Sequence, residues 1–111
     1  MKHLSRKQKF IYIGLLSICT VLSVAFFRHN NLLNLSILSL CAVLMILIDG
    51  HRHTIRLFFA GFILGPLAEA ICIHFGAWQY AETFVLGFPI YLPFVWGNAA
   101  ILFRRLTFYT E

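Results

Sequence analysis

Residues 55–78 read IRLFFAGFILGPLAEAICIHFGAW, and one letter in that run, the acid at position 69, decides how the chain is assembled. The run matches the length of about 20 apolar residues that a helix needs to cross a bilayer. Glu69 lies well inside it, away from both polar flanks. An ionisable side chain at that depth costs about 3 kcal/mol on insertion scales, so such residues face the protein interior and mark functional positions. On a helical projection Gly61, Gly65, Ala68, Glu69, Cys72 and Gly76 share one arc. Small residues let helix backbones approach closely where lipid supplies no hydrophobic drive. Glu69 is therefore expected to point into a bundle, on the face that packs.

Working outward, three more apolar runs cover residues 10–27, 32–48 and 84–103. The chain is 60% hydrophobic and 12% charged, whereas a soluble domain carries about 25% charged residues. Short connections force antiparallel neighbours. The expected fold is all-α: a single domain, residues 1–111, forming an antiparallel bundle of four transmembrane helices at about 10–27, 32–48, 55–78 and 84–103. Gly50 reads as the stop of the second helix and Thr54 as the N-cap of the third. Trp78 and Tyr80 read as aromatic anchors at one interface, Phe108 and Tyr109 at the other.

The basic residues set the expected orientation. Lys2, Arg6, Lys7, Lys9, Arg52, Arg56, Arg104 and Arg105 fall on one side of such a bundle, and Arg28 on the other. Positive residues collect on the cytoplasmic side. This predicts a multi-pass protein of the inner (cytoplasmic) membrane with both termini cytoplasmic. Ser23-Val24-Ala25 resembles a signal-peptide cleavage site, but the apolar run continues past it, so the first run is read as retained. The net charge of +5 suits anionic lipid headgroups, and no nucleic-acid-binding motif appears. Membrane lipids are the expected partners, together with a homo-oligomer through the Gly61/Gly65 face. Cys19, Cys41 and Cys72 are read as buried hydrophobes with no disulfide.

The fourth run, FVLGFPIYLPFVWGNAAILF, supplies partners for the acid. Gly87, Tyr91, Phe94, Asn98 and Ile101 share a face, with Pro89, Pro93 and Trp96 on another. Counting from the turn near Tyr80, Tyr91 stands at the depth of Glu69, which predicts an approach of its hydroxyl to the carboxyl. Glu69 and Tyr91 are the candidate catalytic pair, and Asn98 and Trp96 the candidate ligand contacts. His74 lies about 140° around its helix from Glu69, which argues against a pair between them. Two roles suit a buried acid here: interhelical hydrogen bonding, worth about 0.6 kcal/mol on average, or acid–base work on a ligand. Asp49-Gly50-His51-x-His53 contains metal-ligand residue types, but the spacing matches no established site. It reads better as a basic loop meeting phosphates. No metal or cofactor is expected, and no nucleophile elbow or phosphate-binding loop is present.

Glu69, Gly76, Trp78, Tyr80, Gly87, Pro89, Pro93 and Trp96 together resemble a motif of carotenoid-biosynthesis membrane proteins of the bisanhydrobacterioruberin hydratase type. The likeness covers residues 69–96, and those proteins are considerably longer. It implies an acid, Glu69, beside a pocket for a long apolar isoprenoid or lipid. The small multidrug transporters share the length, the four helices and a single membrane glutamate. Their acid lies in the first helix, however, whereas residues 10–27 here carry no charge. Three classes thus stay open: a lipid or isoprenoid enzyme, a proton-coupled carrier acting as a homodimer, and a structural or assembly subunit.

Overall fold

The computed structural model describes residues 4–78 and 89–108, and among these the chain is entirely helical outside its turns. Four helices follow one another: α1 (Arg6–Phe27), α2 (Asn31–Asp49), α3 (Arg52–His74) and α4 (Leu92–Thr107). The first three are long and apolar enough to cross a membrane. α4 has 16 residues, about 24 Å at 1.5 Å per residue, which is shorter than the apolar layer of about 30 Å.

Each boundary has a local cause. Ser5 caps α1 through a reciprocal pair with Gln8: its hydroxyl accepts from the Gln8 N–H at 3.2 Å, and the Gln8 side chain accepts from the Ser5 N–H at 2.9 Å. Asn30 caps α2 by accepting from the Leu33 N–H. The α1–α2 hairpin is fastened by Asn34, which accepts from the Ser23 hydroxyl at 2.6 Å and donates to the Phe27 carbonyl at 2.7 Å. Ser23 is thus a buried residue inside a continuous helix. Gly50 ends α2 at φ +67°, as expected, since only glycine takes that left-handed turn cheaply.

Three boundaries differ from the expectation. His51, not Thr54, caps α3 by accepting from the His53 N–H, which leaves the Thr54 hydroxyl one turn inside the helix for another partner. α3 stops at His74 rather than 78, because Gly76 turns left-handed at φ +81° and the Ala77 and Gly76 N–H groups close back on Cys72 and Ile73. Gly76 is a helix stop and not part of the packing stripe. α4 begins at Leu92 rather than 84, with Pro93 in its first turn, where a missing N–H costs nothing. It then runs past 103 and takes Arg104 and Arg105 inside the helix. Residues 79–88 and 109–111, which include Tyr80, Glu82, Gly87 and Tyr109, lie outside the described part.

α4 is the hub. It packs on α1, α2 and α3, while α1 and α3 do not touch among the described residues. Ile13, Ala42, Met45, Ile48, Phe58 and Ile101 form the core. The buried positions of α2 (Asn34, Leu38, Cys41, Met45, Ile48) step by four and three, the spacing of a single helix stripe. Outward faces carry large apolar side chains such as Leu15, Ile18, Val21, Phe26, Leu40 and Ile63, as a surface against acyl chains requires.

Candidate functional site

Glu69 is 8% exposed and turned into the contact between α3 and α4, as its arc predicts. Its neighbours one and two turns earlier explain how α4 comes so close. A Cβ on Gly61 would lie 2.7 Å from the Trp96 carbonyl oxygen, and one on Gly65 would collide with the Trp96 ring. Gly61, Gly65 and Glu69 thus form a ramp: the first glycine admits the Trp96 backbone, the second its ring, and the indole N–H then donates to Glu69 Oε2. On the opposite helix Gly97 repeats the device, since its missing Cβ makes room for the Phe58 ring. Phe58, Phe62 and Phe94 cluster beside it, with Phe62 and Phe94 edge to face and their centroids 5.1 Å apart. The Gly61/Gly65 stripe is covered by a helix of the same chain.

The other site residues all lie on or just before α4. Tyr91 is buried immediately before α4. Trp96, placed by projection away from the Tyr91 face, is the indole donor to Glu69, and it keeps 38% of its surface exposed. Asn98 lies on the far side of α4 from Glu69. Its amide nitrogen donates to the Thr20 hydroxyl and to the Leu38 carbonyl, each at 3.2 Å, so it joins α4 to α1 and α2. The expected grouping of Glu69 with Asn98 is not formed, because two residues along a helix turn a side chain to the opposite face.

The densest polar cluster is elsewhere. Asp49, the last residue of α2, is 1% exposed, and its two oxygens take four donors. Oδ1 accepts from Arg105 Nε at 2.7 Å and from Arg105 Nη2; Oδ2 accepts from Arg104 Nη1 at 2.7 Å and from the Thr54 hydroxyl. The Asp49 carbonyl accepts from Lys9 Nζ at 3.2 Å. Every helix contributes: Lys9 from α1, Thr54 from α3, both arginines from α4. Arg105 is fully buried and Arg104 nearly so. Both are packed against the carboxylate rather than left exposed at the end of the helix. A signal existed in the sequence. The face Tyr91–Phe94–Asn98–Ile101, extended by one more four-residue step, lands on Arg105. Asp49, His51 and His53 do not converge as metal ligands, because the carboxylate is turned toward the arginines. Among the described residues no group of three or more His, Cys, Asp or Glu side chains is placed to hold a metal.

No protein-family model, curated protein or solved structure matches the chain. Function is therefore read from its own geometry.

Proposed function

We propose that the chain is a multi-pass protein of the inner membrane, with both termini cytoplasmic, which binds or modifies a lipid or isoprenoid at Glu69. The carrying observation is the contact of Glu69 with Trp96. The same indole that donates to the carboxyl is part-exposed, so an apolar molecule resting on that ring from the bilayer would stand beside the acid. Glu69 would give or take the proton, Tyr91 would assist at the start of α4, and Trp96 would supply the apolar wall. Support for the orientation comes from Lys9, Arg104 and Arg105, cations of both ends of the chain, meeting at Asp49 beside the basic α2–α3 turn. α4 would be the fourth span.

A second reading is favoured by the glycine ramp. Glu69 would then serve to seat Trp96, and the protein would be a structural or assembly subunit. Glu69→Gln separates the two, because the amide oxygen still accepts from the indole but carries no exchangeable carboxyl proton. The test is lipid and metabolite profiling of a deletion strain complemented by wild type, Glu69→Gln or Glu69→Ala. The acid reading expects both variants to leave the profile of the deletion strain. Full rescue by Glu69→Gln would exclude acid–base chemistry and leave the structural role.

A further inference from the structure

A cleft of about 500 Å³ opens between the α2–α3 turn and the end of α4, lined by His51, His53, Arg56, Leu57, Arg104 and Phe108. That volume lies within the range of about 300–1,000 Å³ typical of small-ligand sites. Its cationic and imidazole groups come from two separate elements. His53 and Arg56 stand exposed on the first turns of α3, whereas Arg104 arrives from α4 with its guanidinium fixed by Asp49 at 2.7 Å. The Phe108 ring lies 5.8 Å from the Arg104 guanidinium carbon, closing one wall. Leu57 and Phe108 are apolar and substantially exposed.

We propose that this cleft binds the phosphate of an anionic glycerophospholipid, with Arg56, His53 and Arg104 around the headgroup and Leu57 and Phe108 against the glycerol and first acyl carbons. The cations suit a phosphate oxygen cluster, and two observations favour a lipid over a soluble phosphate. The apolar walls would be wasted on a free anion. The cleft also sits where two membrane-length helices end and begin, at Asp49 and Arg52, which is the level of headgroups. This site is independent of Glu69, and its test does not depend on what that residue does.

The experiment uses the full chain in phosphatidylcholine nanodiscs doped with phosphatidylglycerol, with bound lipid counted by native mass spectrometry after transfer to detergent. Wild type should retain phosphatidylglycerol over phosphatidylcholine. His53→Gln and Arg56→Gln should each lower that preference, by about fivefold for the arginine, the effect of one cation at an anionic surface. Both side chains are exposed and neither contacts Asp49, so helicity should be unchanged. Lys7→Gln removes an exposed cation of α1 outside the cleft and should leave the preference as in wild type. The proposal is overturned if the cleft variants keep the wild-type preference, or if Lys7→Gln lowers it equally, which would show diffuse surface charge. Displacement of the lipid by inorganic phosphate or glycerol phosphate would equally overturn it, in favour of a site for soluble anions.

Discussion

Asp49 and Glu69 are both buried acids in a chain built to face lipid, and they are held by different means. Asp49 sits at a helix end and is saturated by two guanidinium groups and a hydroxyl drawn from two other helices. Glu69 sits in the C-terminal third of α3, and its Oε2 takes the N–H of an indole. Asp49 is the shared anion of two buried guanidinium groups, and its loss would strand both of them. An indole donates equally well to a carboxylate or to the carbonyl oxygen of a protonated acid. The lesson is that burial alone does not assign a role. The donors around the acid decide whether it locks the fold or keeps chemistry in reserve.

The largest effect should come from breaking the first region. Asp49→Ala leaves Arg104 and Arg105 buried without their shared anion, and loss of one partner from a buried charge cluster costs about 3–5 kcal/mol. Reversible unfolding of the full chain in mixed micelles, followed by far-UV circular dichroism, measures it. A loss below about 1 kcal/mol would fit only a solvated surface pair and would end the idea that this cluster fastens the helices.

Next in size is the ramp beneath the second region. Gly65→Leu places a side chain where the Trp96 ring lies, and overpacking of this kind costs about 1–3 kcal/mol. It should also change the tryptophan emission, because the indole must leave Glu69. Gly14→Leu is the matched control, since nothing lies within 4 Å of a Cβ at that position. Equal losses in the two variants would mean that the α3–α4 approach is looser than the structure has it.

A smaller loss is expected at Thr54. Thr54→Val keeps the shape and removes one hydroxyl donor from Asp49, while both arginine contacts remain. A single hydrogen bond of this sort contributes about 1 kcal/mol, somewhat more to a charged acceptor. The same unfolding assay reads it. A loss matching that of Asp49→Ala would show that the hydroxyl, and not the guanidinium pair, carries the cluster.

The two regions also differ in how far they could be read from the sequence. Glu69 announced itself by being charged in an apolar run, and the spacing of Gly61, Gly65 and Glu69 placed it on the packing face. Helical period is a local property, so it survives whatever the other helices do. Trp96 as its donor was not readable. Two prolines precede it, and the start of α4 at Leu92 depends on where the chain leaves its turn rather than on any repeat. The role of Asp49 is hidden for a different reason. Its partners lie 55 and 56 positions away, and arginines at the end of an apolar run ordinarily meet headgroups. Only the arrangement of α4 across the ends of α2 and α3 turns them inward. Orientation rules count such charges and say nothing of what they touch.

The smallest effect is the most informative about Glu69. A double-mutant cycle of Glu69→Gln and Trp96→Phe isolates the coupling between carboxyl and indole, provided each single variant removes only that interaction. Hydrogen bonds inside membranes average about 0.6 kcal/mol by this measure, because the helices find other partners when the fold opens. A value near that figure, read as a shift in micellar unfolding, would mean that the pair adds little to stability. Retaining an acid within an apolar helix for so small a return makes sense if the carboxyl serves a ligand. A coupling as large as the loss at Asp49 would point the other way. Glu69 would then be a second lock, built to hold Trp96 in its glycine ramp, and the proposal of a working acid at this position would lose its basis.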